Sequence, residues 1–147
     1  MMMTKKFEIV FKYINDISIE IPDPETFIFS RDYITKYSLG ININSKPLKN
    51  EMVEVITKLT YKDPSSNKRK SHFEISYSTV IKFTDKNLKK DELEKILLCD
   101  VQNEIYPTLE KIFVNLIKES GFPVLNFEKK VDFEELYKKK IIKKNFF

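Results

Sequence analysis

Between Phe7 and Ile21 every odd position but one is apolar: Phe7, Ile9, Phe11, Tyr13, Ile17, Ile19 and Ile21, with Asn15 the exception. An alternation of period two buries one face of a strand and leaves the other to solvent. The even positions carry Glu8, Lys12, Asp16, Ser18 and Glu20. Asp16 and Glu20 therefore stand on one side, about 13 Å apart at roughly 3.3 Å per residue. Ile14 is an apolar residue on that outer phase.

Three further segments alternate in the same way, at residues 36–44, 51–62 and 69–83. Their apolar sets are Tyr37, Leu39, Ile41 and Ile43; then Val53, Val55, Leu59 and Tyr61; then Phe73, Ile75, Tyr77, Ile81 and Phe83. Each predicts a one-sided strand. Asp63-Pro64-Ser65-Ser66-Asn67 joins the last two with turn chemistry that suits an antiparallel hairpin. Pro22-Asp23-Pro24 breaks the first strand, and a crossover loop follows that is rich in aromatics, with Phe27, Phe29 and Tyr33.

From Asn87 the period lengthens. Leu93, Ile96, Leu97, Val101, Ile105, Leu109, Ile112, Phe113, Leu116 and Ile117 recur at offsets of three and four, which predicts a long amphipathic helix. Pro107 removes a donor from the carbonyl of Asn103, so a kink or short break is expected at 103–107. Gly121 and Pro123 give the stop in the usual order. A shorter helix is expected from Asp132, as N-cap, to about Lys140, with Glu134 and Glu135 in its first turn. The predicted fold is α+β: a four-stranded antiparallel sheet, then a long kinked helix and a shorter C-terminal helix. One domain over residues 1–147 is expected, without internal repeats, and with residues 143–147 as a mobile basic tail.

A chain of 147 residues buries roughly two thirds of its unfolded surface and needs no staples. The single Cys99 forms no internal disulfide, no apolar run reaches the length of a membrane span, and Met1 to Lys6 lack the apolar block of an export signal. A cytosolic protein is expected, with no membrane insertion. Net charge is +4 from 26 basic and 22 acidic residues, so the excess is small and local, in Asn67-Lys68-Arg69-Lys70, Lys89-Lys90 and the tail from Lys138 to Lys144. Short lysine runs of this kind are the signature of solvated turns and tails.

Candidate chemistry is sparse. His72 is the sole histidine and no cysteine pair has metal-ligand spacing, which argues against zinc. Cys99 falls inside the long helix and reads as a small buried hydrophobe. Gly40 and Gly121 are the only glycines, too few for a glycine-rich phosphate loop. The carboxylate pairs sit on a solvent face, not in a cleft that would shift their titration. The strand aromatics share the phase of Ile, Leu and Val, unlike the exposed aromatics of a nucleic-acid-binding sheet. What is left is an apolar set in irregular segments: Phe27, Ile28, Phe29 and Tyr33, then Phe122, Val124, Leu125 and Phe127. Such loops either pack on the core or line a groove for another chain.

Several of these segments match a known family. Tyr13-Ile14-Asn15-Asp16-Ile17-Ser18-Ile19-Glu20, Ile28-Phe29-Ser30-Arg31-Asp32-Tyr33, Gly121-Phe122-Pro123-Val124-Leu125-Asn126-Phe127 and Val131-Asp132-Phe133-Glu134-Glu135-Leu136-Tyr137 follow one another in the order and spacing of the SecB export chaperones. Asn103 and Pro107 fit that family's first helix, and the chain resembles it over nearly its whole length. It departs in its basic charge, its Lys-rich tail and His72, where an apolar residue is usual.

The resemblance implies a cytosolic homotetramer, a dimer of dimers, that holds unfolded preproteins and passes them to the SecA motor, with no cofactor, no metal and no enzymatic step. Carried over by position, it implies client contact at Phe27, Phe29, Tyr33, Phe122, Leu125, Phe127, Leu136 and Tyr137. It implies SecA contact at Asp16, Glu20 and Glu74, acids on the outer face of the sheet where a basic partner would be attracted. A SecB-like chaperone dedicated to one client, such as an antitoxin, is the competing reading. An RNA-binding α+β domain using Lys68, Arg69 and Lys70 is a more distant one, and no specific nucleic-acid partner is expected.

Overall fold

The computed structural model describes residues 6–65, 70–127 and 131–138, together with the backbone of 143–145. Strands β1 (Phe7–Glu20), β2 (Ser38–Pro47), β3 (Met52–Lys62) and β4 (His72–Phe83) form an antiparallel sheet in the order β1-β4-β3-β2. The odd positions of β3 and β4 are buried as their alternation requires. Val53, Val55, Leu59, Phe73, Ile75 and Ile81 form the floor of the core. Lys68 and Arg69 lie outside the described residues, and Lys70 donates to the carbonyl of Ser65 at 2.7 Å.

Onto this floor lies a helical rod: α2 (Lys90–Lys95), a π turn (Ile96–Asp100) and α3 (Val101–Glu119) run on without interruption. Val101, Ile105, Leu109, Phe113 and Ile117 are buried, at the offsets the sequence predicts. The rod's departure from α geometry is the π turn at 96–100, whereas α3 continues through Pro107 and the expected break at 103–107 is not where the irregularity falls. The π turn has an evident cause in packing. Four consecutive residues, Ile96, Leu97, Leu98 and Cys99, are all buried, more than one helical face can hide. The far side is covered by α4 (Phe133–Lys138), whose Phe133 carbonyl accepts from Cys99 Sγ at 3.6 Å and whose Phe133 ring meets Tyr106 edge-on at 5.2 Å. Gln102 clips rod to sheet: Thr57 Oγ1 donates to its Oε1 at 3.0 Å, and its Nε2 donates to the Leu97 carbonyl at 3.2 Å.

Three differences from the sequence-based expectation matter for the surface. The crossover is a helix, α1 (Pro24–Tyr33), followed by a 3-10 turn (Ile34–Lys36), and not a loop. The Pro22-Asp23-Pro24 break doubles as a helix start, for Asp23 Oδ1 accepts from the Thr26 amide at 2.7 Å and Pro24 occupies the first turn. Next, residues 143–145, expected as part of a mobile tail, form a short strand, β5 (Lys143–Asn145), parallel to β2.

The third difference is in β1. Its register against β4 slips by one residue between Ile9 and Phe11 and again between Ile14 and Asp16. Each slip is a β-bulge, with Val10 and Asn15 as the extra residues. A slip of one residue turns every following side chain to the other face. Phe11 and Tyr13 therefore pair with Val80 and Ser78 on the outer face, while Lys12 and Ile14 pair with Thr79 and Tyr77 on the helix side. The second bulge restores the original phase, so Ile17 and Ile19 pair with Ile75 and Phe73. Phe11 and Tyr13 are thus not the core residues that alternation predicts, and both are exposed; Ile17 keeps the helix-side phase and is exposed as well.

Gly121 closes the rod at φ +108°, and a Cβ there would stand 3.0 Å from the Phe27 ring. Both the left-handed backbone and the ring packed on it call for glycine. Gly121→Ala should cost about 1 to 2 kcal/mol from backbone strain alone. Chemical denaturation measures this, and an unchanged midpoint would contradict the role given to Gly121.

Candidate functional site

Helix α1 has an inverted character: its fully buried residues are Thr26 and Ser30, and Ile34 follows four residues on. Four-residue spacing puts these on one face. That face is held by hydroxyls. Tyr37 Oη donates to Ser30 Oγ at 3.1 Å, Ser71 Oγ donates to Ser30 Oγ at 2.8 Å, the Ser71 amide donates to Tyr37 Oη at 3.2 Å, and Tyr61 Oη donates to the Ile34 carbonyl at 2.7 Å. Burial raises the Tyr61 phenol above its ordinary range, which keeps it a neutral donor.

With its polar residues inward, α1 turns apolar ones outward. Ile28 is 52 % exposed and Tyr33 42 %, and the Phe29 and Tyr33 rings lie 4.7 Å apart, with Lys36 Nζ 5.4 Å from the Tyr33 ring centre. Beside them runs the segment after Gly121. Phe122 meets Phe27 at 5.0 Å and Phe73 edge-on at 5.4 Å, while Phe127 meets Tyr61 at 5.4 Å. The rings thus cluster at one end of the sheet, the Phe29–Tyr33 pair on α1 and the Phe27, Phe122 and Phe127 contacts beside it.

The eight residues singled out for client contact do not stand equally on this surface. Phe29 and Tyr33 face outward on α1. Phe27, Phe127, Leu136 and Tyr137 are half-buried, packed on the core with an edge showing. Phe122, only 4 % exposed, and Leu125 are core residues that support the surface from beneath. Conversely Ile28 and Val124, the latter 66 % exposed, are more available than either and were outside the eight. A helical reading of 24–33, which Asp23-Pro24-Glu25 signals, would have placed Ile28 opposite the buried Thr26 and Ser30.

The register brings the three acids together. Asp16 pairs with Ser76, Ser18 with Glu74 and Glu20 with His72, so Glu74 lies between Asp16 and Glu20 on the outer face. Glu74 is engaged already, 3.8 Å from Lys58 Nζ and 3.7 Å from His72 Nε2. Asp16 and Glu20 have no ion-pair partner among the described residues.

The same outer face holds a buried acid that sequence reasoning missed. Glu54 is covered by the bulged part of β1 and accepts from Ser78 Oγ at 2.5 Å and Tyr13 Oη at 3.1 Å, with Lys46 Nζ at 3.4 Å. The Ser78 hydrogen bond holds its carboxyl below the ordinary value, against the opposing effect of burial. Cys99 is inert by contrast: burial first, then the charges of Asp100 and Glu134, pushes its thiol up to about 11. Among the described residues no three His, Cys, Asp or Glu side chains gather to hold a metal, and no helix is long and apolar enough to cross a membrane.

The family model for SecB, preprotein translocase subunit SecB, matches residues 2–144. The chain is 51% identical over 138 residues to a putative protein-export protein SecB of Pelagibacter ubique, covering 94% of this chain and 99% of that protein. It is 23% identical over 135 residues to the protein-export protein SecB of Bartonella quintana, covering 92% and 84%. Among solved structures it is similar to a Mycobacterium tuberculosis SecB-like chaperone in complex with a ChAD peptide from an antitoxin. There the TM-score is 0.60 at 12% identity, over 86% of this chain and 88% of that one, a likeness of fold.

Glu54, with its carboxyl held below the ordinary 4.5, stabilises the folded chain above that pH, and the contribution is lost as pH falls through the lowered value. Unfolding free energies measured at neutral pH and again between about pH 5 and pH 3 should therefore fall less steeply for Glu54→Gln than for the parent. Parallel acid limbs would remove Glu54 from the account.

Proposed function

As the chain belongs to the SecB family and acts as a chaperone in protein export, we propose that it holds unfolded preproteins on the aromatic surface of α1 and residues 121–127. The inward turn of Thr26 and Ser30 is the observation that carries this reading, because it leaves Ile28, Phe29 and Tyr33 without an internal partner face. Large apolar side chains on that scale are hidden in a folded monomer unless something else covers them. Rings and branched aliphatics bury apolar surface without demanding one sequence, which suits a client that is any unfolded chain. In this reading Phe29, Tyr33, Phe127, Leu136 and Tyr137 touch the client, and Phe27, Phe122 and Leu125 hold the surface in shape.

The export partner is the SecA motor, met on the outer face at Asp16, Glu20 and Glu74. The two acids without partners supply the attraction for a basic surface, and salt should weaken the contact. Copies of the chain join into a homotetramer in the cytoplasm, and no cofactor takes part. The free edge of β1 supports the assembly: Val10, Phe11, Tyr13, Ile14 and Ile17 are all exposed along it, and an isologous pairing of two such edges would cover both rows at once.

Stoichiometric protein should delay the refolding of a slow-folding preprotein, and Phe29→Ser with Tyr33→Ser should weaken client binding about tenfold or more. No delay at several-fold excess of the parent protein would overturn the holding role. Asp16→Lys with Glu20→Lys should lower affinity for SecA while the refolding delay survives. Unchanged SecA binding would remove those acids from the contact.

A further inference from the structure

In β1 the pattern of the sequence and the pairing of the strand pull in different directions, with one buried contact between them. The second half of the strand, Asp16 to Glu20, pairs with Ser76 to His72 in one unbroken register. Continued without a bulge, that register sets Tyr13 opposite Thr79, Phe11 opposite Ile81 and Ile9 opposite Phe83, all on the helix side, as the alternation of the strand requires. The strand instead inserts Asn15 and Val10, and Tyr13 and Phe11 cross to the outer face.

Contacts on both faces mark a contest between these registers. On the helix side Thr79 Oγ1 is buried with no partner among the described residues, and the residue opposite it is Lys12. The straight register would bring the ring and hydroxyl of Tyr13 to that place. On the outer face Tyr13 Oη donates to Glu54 Oε2 at 3.1 Å, and it is the one donor to this buried acid that β1 supplies, beside Ser78 of β4 and Lys46 of β2. Hydrogen bonds to a charged acceptor are about twice as strong as neutral ones. At its start the bulged strand also keeps Phe7 buried, Lys6 Nζ 3.1 Å from Glu92, and the Lys6 carbonyl on the Thr84 amide. The straight register would carry Phe7 past the end of β4, opposite Asp85.

We propose that β1 can pair with β4 in two registers, and that the contact of Tyr13 with Glu54 is the pin that selects the bulged one. The two registers present different outer faces. Pinned, the strand shows Phe11 and Tyr13 and leaves Asp16 with no ion-pair partner among the described residues. Straight, it shows Val10, Lys12 and Ile14, with Lys12 four residues from Asp16 on the same face and in one row with Val80 and Glu54. An exposed ion pair is worth little, so Lys12 does not replace the buried contact, yet its charge partly cancels that of the neighbouring acids. The pin thus ties the attraction of this face for a basic surface to the register of the strand that carries it. Register selection itself holds whether or not the acids meet SecA.

The test uses pairs of cysteines in the full chain, with the buried, inert Cys99 left in place. Directly opposed residues of an antiparallel pair are close enough for a disulfide, and residues on opposite faces are not. Lys12→Cys with Thr79→Cys reports the bulged register, Lys12→Cys with Val80→Cys the straight one, and Ser18→Cys with Glu74→Cys, opposed in both, shows that β1 stays on the sheet. With the pin intact the first and third pairs should cross-link in a glutathione buffer and the second hardly at all. Tyr13→Phe, which removes only the hydroxyl, should raise the yield of the second pair relative to the first about tenfold or more, and Glu54→Gln, which removes the charge, should act in the same direction. A ratio unchanged by Tyr13→Phe, with the third pair still forming, would overturn the pin. Loss of both Lys12 pairs with the third intact would show a frayed strand without a second register, and would overturn the proposal equally. Should Glu54→Gln lose the third pair, the milder Tyr13→Phe decides.

Discussion

The arrangement of the surface depends on one buried polar junction, in which Ser30, Tyr37, Ser71 and Tyr61 tie α1 to the sheet. Each of these groups is shut away from water, and a buried donor or acceptor left without a partner costs about 1 to 3 kcal/mol. Three of the four hydrogen bonds are mutually dependent, because Tyr37 Oη both donates to Ser30 and accepts from the Ser71 amide, and Ser71 Oγ donates to the same Ser30 Oγ. α1 can therefore sit in only one orientation without exposing the account to that cost. A helix fixed by an apolar stripe would have its aromatics inside, and this one, fixed largely by hydroxyls, turns Phe29 and Tyr33 outward while Phe27 packs on Phe122.

That inversion also explains what could be read in advance. Where apolar residues point inward, period and burial agree: the sets at Val53 to Tyr61, Phe73 to Phe83 and Val101 to Ile117 are where the sequence puts them. Gly121 as a left-handed stop and Asp132 as an N-cap, accepting from the Glu135 amide at 3.1 Å, follow from local chemistry and hold for the same reason. α1 escaped because its apolar residues obey the surface and not the core, so its pattern resembles an aromatic loop. The bulges at Val10 and Asn15 escaped because alternation counts residues, whereas facing is set by pairing with β4.

At the level of the site, proximity was more legible than accessibility. The spacing of Asp16 and Glu20, and the polar phase of Glu74, place all three on one face, and the register agrees. The aromatic set was found as a group from its odd composition. Which of its members reach the surface was not, since Phe122 is drawn under Phe27 and Phe73 by ring packing over a distance in sequence that no local pattern encodes. The chemistry of the buried Glu54 is of the same kind: its partners Tyr13, Ser78 and Lys46 come from three other strands.

The two bulges carry a further consequence, for solubility. β1 spends fourteen residues against the twelve of β4, and the surplus coils the edge more tightly than a flat strand. A long, flat, apolar edge is the template from which fibrils grow, and a protein whose task is to keep sticky chains in suspension cannot offer one. Here the coiled edge presents apolar residues on both faces, which two copies related by a two-fold axis can cover together and a stack of flat strands cannot. On the opposite edge β5 lies along Asn42 to Asn44 of β2. A coiled edge such as that of β1 is a poor template for stacking, which lets a chaperone stay dispersed beside its clients.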